Sequence, residues 1–269
     1  MKHLLLLLLS AGALRAAAQP ATTSLVDAEK SFAAFSVKEG MRDAFLAFLD
    51  SNAILFNRDT FTNGMQLWLG RKKRPGILNW KPVVAELAGS GDWGFTTGPS
   101  TFTNSTGDSV LGRGHYFTIW HKAAGGEWKF LFDCGTDGGE EPLSTLYSFQ
   151  APKRPGTVAT LMQAERDLAA RLASDPVGAH QQYLSVTSVL VCNGQAVAIT
   201  PGQQTKWFRG LPSSIVSTYS GHLLAPSNDL ALVYGTTLSG EKGDKKEPFL
   251  RLWRHEPGGW RLAAELLRF

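Results

Sequence analysis

The spacing of hydrophobic residues predicts that each half of the chain begins with two helices. Near the start, apolar residues recur every three or four positions, as on one face of an amphipathic helix: Leu25, Ala28, Phe32 and Phe35. Gly40 interrupts this pattern, and apolar positions over residues 44–49 predict a second helix. Residues 161–168 open the second half with a similar helical pattern.

Polar residues that can cap a first turn predict where the helices begin. Two pairs fit capping boxes: Ser24 with Asp27, and Thr160 with Gln163. Asp175 before Pro176 fits an N-cap followed by proline at the first helical position, where a backbone N–H is not needed.

Short extended runs follow the helices and predict strands. They cover residues 53–56, 83–87, 94–97, 116–122 and 128–133 in the first half, and residues 189–192 in the second. Glycine pairs at 125–126 and 258–259 predict hairpin turns. Helices followed by a meander of antiparallel strands indicate an α+β domain, in which the helices pack on one face of a sheet.

Three blocks of sequence recur in the same order, which predicts an internal repeat. The matched blocks are LVDAEKSF with LMQAERDL (25–32 and 161–168), SGDWGFTTG with SNDLALVYG (90–98 and 227–235), and YFTIWHKAAGGEWKFLFD with FLRLWRHEPGGWRLAAE (116–133 and 249–265). We therefore predict a first domain over residues 25–135, a linker over 136–157 that is rich in glycine, proline and charge, and a second, diverged domain over 158–269.

The N-terminus has the pattern of a signal peptide. Lys2 precedes an apolar stretch of about eleven residues, which is too short for a membrane span of roughly twenty. Ala16–Ala18 supply the small residues of a cleavage site, so we predict a signal peptide over residues 1–18 and a mature chain that begins at Gln19. The expected location is secreted or periplasmic. A short buried helix is the alternative interpretation.

Composition argues against a nucleic-acid partner. Without residues 1–18 the chain keeps 25 basic and 23 acidic residues, because Lys2 and Arg15 are lost with the signal peptide. Such a balance gives no electrostatic footprint for nucleic acid. The densest basic runs, 71–74 and 242–246, are interpreted as solvated loop tips. Cys134 and Cys192 can pair after export or remain as buried thiols.

Much of the first half resembles a known family. The segments AEKSFAAFSVKEGMRDAFLAFLDSNAILF, NWKPVVAELAGSGDWGFTTGP and GHYFTIWHKAAGGEWKFLFDCG are similar to the SnoaL-like group of the nuclear transport factor 2-like superfamily, which has the cystatin-like cone fold. The resemblance implies two tandem α+β cones, each with N-terminal helices on a curved antiparallel sheet and a pocket at one end. Relatives include ketosteroid isomerases, polyketide cyclases, dehydratases and members without chemistry, so the fold does not fix the function.

The first half carries the residues that such a pocket would use. Candidate catalytic residues are His115, Asp133 and Tyr116, and candidate ligand-binding residues are Trp80, Lys81, Trp120, Trp68 and Asp92. Alternation along residues 115–122 separates His115 from Tyr116, but one bulge would exchange the faces, so the face that lines the pocket stays open. Each residue also has a structural interpretation: the tryptophans as core, His115 as a hydrogen-bonded residue and Asp92 as a turn residue. Asp133 recurs as Glu265, which favours a structural role or an ion pair. No metal or cofactor motif is present.

The two halves differ where chemistry would be expected. His115 aligns with Pro248, and Tyr116 aligns with Phe249. We therefore expect any ligand, a small and partly apolar molecule, in the first half. Three hypotheses follow: a binding module with a structural second domain, a proton-transfer enzyme of ketosteroid isomerase or polyketide cyclase type, and a purely structural tandem. A pseudo-dimer of the two domains, or a homodimer, would form through the sheets.

Overall fold

A computed structural model describes residues 18–139, 145–239 and 246–268. The first half contains α1 (Ala18–Glu39), α2 (Met41–Phe48), β1 (Leu49–Asn57), β2 (Thr60–Asn63), α3 (Gly64–Leu69), β3 (Ile77–Trp80), β4 (Val84–Leu87), β5 (Trp93–Thr103), β6 (Val110–Lys122), β7 (Trp128–Asp137) and β8 (Tyr147–Ser148). The second half contains α4 (Val158–Leu172), α5 (Pro176–Tyr183), β9 (Leu184–Cys192), α6 (Pro201–Phe208), β10 (Ile215–Leu224), β11 (Leu230–Ser239), β12 (Glu247–Glu256) and β13 (Gly259–Leu267). Nearly all of the predicted signal peptide lies outside the described residues.

The strands form two sheets with the same central connectivity, in which β1-β7-β6-β5 of the first half corresponds to β9-β13-β12-β11 of the second. The first sheet runs β2-β1-β7-β6-β5-β4-β8, with β3 also paired to β5, and the second runs β10-β11-β12-β13-β9. In each sheet an antiparallel meander is extended by the strand that follows the second helix, and this strand lies parallel to the last one. Helices cover one face of each sheet, so the predicted α+β class with two cone-shaped units is confirmed.

Bulges bend the two sheets at equivalent places. The register shifts beside Trp120 in the β6–β7 pair and beside Trp253 in the β12–β13 pair. An extra residue on one strand bends that strand and increases its twist. The bent sheets wrap around their helices, and this curvature creates the interior of each cone.

The predicted helix starts are right in one case and wrong in two. Asp175 caps α5 as predicted, because its Oδ1 accepts a hydrogen bond from the Gly178 N–H at 2.9 Å. Ser24 lies inside α1 instead of capping it, and its hydroxyl accepts from Trp128 Nε1 at 3.0 Å. The cap of α4 is Thr157, one turn before the predicted residue, and Thr160 completes this box instead of beginning one.

Each sheet separates two layers of hydrophobic core. On the helix side, a first-half cluster includes Phe32, Tyr116 and Trp120, and a separate cluster fills the second half. On the opposite side, residues of both sheets, such as Phe117 and Leu250, form one shared cluster. The sequence did not decide which face of β6 is turned toward the helices. In the structure Tyr116 and Trp120 point to the helices, and Phe117 points to the other sheet.

A buried ion pair links the two sheets across the shared core. The Arg254 guanidinium on β12 donates from Nε and Nη2 to the two carboxylate oxygens of Glu86 on β4, at 2.7 and 2.5 Å. Lys153 reaches the same carboxylate at 3.1 Å. Asp229 accepts from the Gly89 N–H at 2.8 Å, which joins the matched turns of the two halves. The sheets therefore contact each other through both apolar packing and fixed charge pairs.

The predicted linker is partly incorporated into the first sheet. β7 extends to Asp137, and β8 pairs with β4, so that Phe149 is buried in the shared core. Cys134 and Cys192 are both buried, and they form no disulfide with each other. No helix among the described residues is long and apolar enough to cross a membrane.

Candidate functional site

Glu29 is the centre of the helix-side interior of the first half. It lies on the same face of α1 as Leu25 and Phe32, so the helix that packs on the sheet buries it completely. Its carboxyl group accepts from Trp80 Nε1 at 2.5 Å, from Trp120 Nε1 at 2.8 Å and from the hydroxyl of Thr96. Burial raises the pKa of Glu29 to about 7, and these three hydrogen bonds oppose the rise.

Asp133 and Tyr116 lie on the same face of the sheet as this cluster. Asp133 on β7 pairs with Thr118 on β6, whose hydroxyl donates to Asp133 Oδ2 at 2.7 Å. Tyr116 is the diagonal neighbour of Asp133, and its hydroxyl has no hydrogen-bond partner among the described residues. Asp133 keeps partial access to solvent, whereas Tyr116 and Thr118 are buried. Asp133 therefore marks the place where solvent comes nearest to this interior.

The environment of Asp133 favours its neutral form. Burial raises the pKa of Asp133 to about 8; the Thr118 hydrogen bond opposes this rise and the nearby Glu29 carboxyl adds to it. At neutral pH Asp133 therefore carries a proton that it can donate. Burial and the nearby Glu29 and Asp133 carboxyls also raise the pKa of Tyr116. The Thr96 hydroxyl opposes this rise, although it does not form a hydrogen bond of ordinary geometry with the Tyr116 hydroxyl, which therefore stays protonated.

Aromatic side chains fill the deeper part of the interior. Trp80 packs edge-on against Phe32 with ring centroids 4.7 Å apart, and Phe32 stacks on Phe130 at 5.4 Å. Trp80 and Trp120 are both buried and hydrogen-bonded to Glu29, so they belong to the core of the cone. Such filling is what the structural-tandem hypothesis expects.

In the second half, a cation contacts both of the corresponding carboxyl groups. Arg251 occupies the position of Thr118, and it contacts both Glu165 and Glu265, the counterparts of Glu29 and Asp133. Glu265 also receives His180 Nε2 at 2.5 Å. Burial raises the pKa of Glu265, but His180 and Arg251 outweigh it and lower the value to about 2. Burial raises the pKa of Glu165, and Arg251 and Trp253 oppose this rise. Both carboxyl groups contact Arg251, so this network has the cation that the first half lacks.

The structure does not bring all the predicted site residues together. His115 lies on the sheet face opposite Tyr116, where neither ring nitrogen has a partner among the described residues and burial lowers its pKa to about 4. Lys81 is exposed. Asp92 lies in the turn before β5, and its backbone carbonyl accepts from the Lys122 N–H. Trp68 is buried in α3 beneath the guanidinium of Arg71.

Glu29 and Thr118 were not among the predicted site residues. Glu29 falls in the first matched block, where AEK and AER repeat, and this repetition was the available signal. Its three hydrogen-bond partners lie 51, 67 and 91 residues away in sequence, so no local pattern reveals its role. No group of three or more metal-binding side chains is present in the parts of the chain that the structure describes.

Comparisons with known proteins find a partial likeness to solved structures at low sequence identity. No protein-family model matches the chain, and no curated protein matches it either. Among solved structures, a cystatin-like protein of unknown function from Nostoc punctiforme has a TM-score of 0.35 at 13% identity, over 43% of this chain and 93% of its own. An NTF-2 like protein from Shewanella oneidensis has a TM-score of 0.34 at 13% identity, over 41% and 98%. A ketosteroid isomerase-like protein from Erwinia carotovora atroseptica has a TM-score of 0.34 at 16% identity, over 44% and 97%. The strand order, and not these scores, carries the assignment of each half as an α+β cone.

Proposed function

We propose that the first half binds a small, partly apolar molecule beside Asp133 and Tyr116, and that the second half is its structural partner. The observation that carries this proposal is the unpaired Tyr116 hydroxyl next to a carboxyl group that solvent can reach. A buried polar group without a partner costs about 1–3 kcal/mol. A ligand that accepts a hydrogen bond from Tyr116 would remove this cost, which supports a binding role for the site.

The protonation states suggest which chemical group the ligand presents. With a pKa of about 8, Asp133 donates a hydrogen bond at neutral pH, as does the Tyr116 hydroxyl. Two neighbouring donors suit an acceptor such as a carbonyl oxygen. The apolar part of the molecule would lie against aromatic surface, because the Trp80 ring is 6.2 Å from that of Tyr116.

A matched pair of uncharged probes tests this proposal. Benzophenone carries a carbonyl oxygen and diphenylmethane does not, so only benzophenone should give saturation-transfer NMR signals with the protein. Tyr116→Phe should weaken benzophenone binding about tenfold, the effect of losing one hydrogen bond of roughly 1.4 kcal/mol. Tyr219→Phe, which removes a hydroxyl from an exposed site in the second half, should leave binding unchanged. Equal binding of the two probes, or no loss in Tyr116→Phe, would contradict the proposal.

A blocking variant adds an independent check. Thr118→Arg reproduces the side chain that occupies the corresponding place in the second half, where Arg251 contacts both carboxylates. The new guanidinium should pair with Glu29 and Asp133, ionise both and fill the interior beside Asp133. Benzophenone binding should then be lost while the protein stays folded by circular dichroism.

One observation favours a second candidate function, proton transfer on a carbonyl compound. An acid whose pKa of about 8 lies near neutral pH can both release and take up a proton, as general acid–base catalysis requires. Exchange of the methyl protons of acetophenone for deuterium in heavy water, followed by NMR, measures this activity. Catalysed exchange that Asp133→Asn abolishes would identify an enzyme, and binding without exchange would identify a binding module. In either case the N-terminal pattern supports a secreted or periplasmic location.

A further inference from the structure

A second concave site lies on the first half and is built from basic residues. It is a cleft of about 500 Å³ between the α1–α2 turn, the β1–β2 turn and the segment that follows α3. Six of its twelve lining residues are basic: Arg42, Arg58, Arg71, Lys72, Lys73 and Arg74. Residues 71–74 do lie in a loop, as the sequence suggested, but the loop forms one wall of this cleft.

Acidic residues neutralise only part of the positive charge of this cleft. Glu39 is the one acidic lining residue, and it pairs with Lys38 at 3.0 Å. Asp43, beside the cleft, receives Arg42 at 3.1 Å and Lys73 at 2.5 Å. The four other basic residues have no carboxylate partner in the part of the chain that the structure describes. Six basic and one acidic lining residue give a net charge of +5, which exceeds the +4 of the whole chain.

Several of the basic groups are held in place before any ligand arrives. The Arg71 guanidinium lies over the Trp68 ring at 4.4 Å, and Arg42 Nε donates to the Arg71 carbonyl at 2.7 Å. Arg58 has a left-handed backbone with φ of 63°, a conformation that non-glycine residues adopt at a cost and that often marks functional positions. Burial and the positive charge of Arg74 lower the pKa of Arg71, so these cations repel one another. A bound anion would relieve that repulsion.

The second half shows that the fold does not require this charge. Its helix α6 corresponds to α3, and Trp207 on α6 is buried as Trp68 is on α3. After Trp207 the chain reads FRGL, with one basic residue, whereas after Leu69 it reads GRKKR. The basic run is therefore a property of the first half alone.

We propose that this cleft binds a molecule that carries two or more phosphate groups. Guanidinium groups match phosphate oxygens with paired hydrogen bonds, and lysines add point charges around them. The volume is within the range of sites for small molecules, and the fixed arginines reduce the entropy lost on binding. The phosphates can belong to a soluble compound or to a lipid headgroup.

Inorganic tripolyphosphate is the probe that tests the shared chemistry. Isothermal titration calorimetry of the full chain should show binding that weakens as sodium chloride rises. Arg58→Gln and Arg74→Gln should each weaken it about tenfold, the loss expected for one charge-assisted contact. Lys206→Gln with Arg209→Gln, which removes two exposed charges near the end of α6, is the matched control and should leave binding unchanged. Circular dichroism verifies that every variant is folded.

Vesicles of phosphatidylcholine with cardiolipin, whose headgroup carries two phosphates, distinguish the two sources. Vesicle binding that tripolyphosphate displaces supports the proposal and identifies a headgroup, while tripolyphosphate binding without vesicle binding supports it and identifies a soluble ligand. The proposal is overturned if tripolyphosphate does not bind, or if Arg58→Gln, Arg74→Gln and the control variant bind it equally. Vesicle binding that persists in both cleft variants places the vesicle contact outside the cleft, and the loss of tripolyphosphate binding in those variants then supports a soluble ligand.

Discussion

Replacing Asp133 by asparagine tests the central electrostatic claim about the first-half interior. Asparagine has nearly the same shape but cannot ionise. In the native protein burial raises the pKa of Asp133 from 3.8 to about 8, whereas in the unfolded chain the carboxyl titrates near the lower value. Between these values the unfolded state binds fewer protons than the native state, so the free energy of unfolding falls as pH rises. The asparagine variant lacks this pH-dependent loss of stability.

The size of the effect follows from the width of the pH window. Each pH unit between the two pKa values changes the free energy of unfolding by about 1.4 kcal/mol, so three units give a ceiling of about 4 kcal/mol. Asp133 keeps partial solvent access, and water stabilises its charged form, so we expect about half of that ceiling. The stability of Asp133→Asn relative to the original protein should therefore increase by about 2 kcal/mol between pH 5 and pH 8.

Urea unfolding followed by tryptophan fluorescence at several pH values measures this difference. Asp108→Asn is the matched control, because hydrogen bonds from Asn104 and Thr106 lower the pKa of this exposed carboxyl. A lowered pKa gives stability that is present above the unfolded value of 3.8 and lost only as pH falls through the lower folded value, so the effect of this control should stay constant from pH 5 to pH 8. A constant difference for Asp133→Asn across the same range would refute the reasoning.

Three further predictions concern the second half, the interface and the N-terminus. Glu265→Gln should lower the free energy of unfolding by about 3–5 kcal/mol at every pH above 5, because it leaves Arg251 and His180 buried without their carboxylate; a loss below 1 kcal/mol would contradict this. Glu86→Gln should destabilise the protein by about 3 kcal/mol in urea titrations, because it leaves the buried Arg254 without its main counter-ion. Mass spectrometry of the exported protein should find a chain that begins at Gln19, and an intact Met1 would refute the signal peptide.

Much of the fold follows from periodicity in the sequence. Alternation on β6 and the glycine pair at 125–126 predict the hairpin that carries Trp120 and Trp128. The matched blocks predict the equivalent hairpin of the second half, which carries Trp253 and Trp260. The helix starts were predicted less well. Ser24 looked like a cap because serine prefers that position, but a tertiary contact with Trp128 accounts for it within the helix. The hydrogen bond with Trp128, 104 residues away in sequence, outweighs the preference of serine for a cap position.

Only part of the candidate site could be predicted from the sequence. Alternation already placed His115 and Tyr116 on opposite faces, and the structure keeps them apart, so the two residues do not share one interior. Asp133 was predicted as a candidate, but its elevated pKa depends on Glu29 and on burial, both of which arise only when α1 packs on the sheet. Comparison of the two halves in sequence pointed to polar groups that the second half lacks, whereas the structure shows a group that the second half gains, Arg251 at the position of Thr118.

The two halves show two answers to the same physical problem, a pair of buried carboxyl groups on facing elements. The second half supplies Arg251, which contacts both carboxyl groups, and His180, which together with Arg251 lowers the pKa of Glu265 to about 2. The first half supplies only neutral donors, so Glu29 and Asp133 titrate near neutral pH. Charge pairing fixes a structure, whereas a proton that can leave near neutral pH, beside an unpaired hydroxyl, suits binding or proton transfer. The proposed division between a ligand-binding half and a supporting half therefore depends on the single position occupied by Thr118 and Arg251.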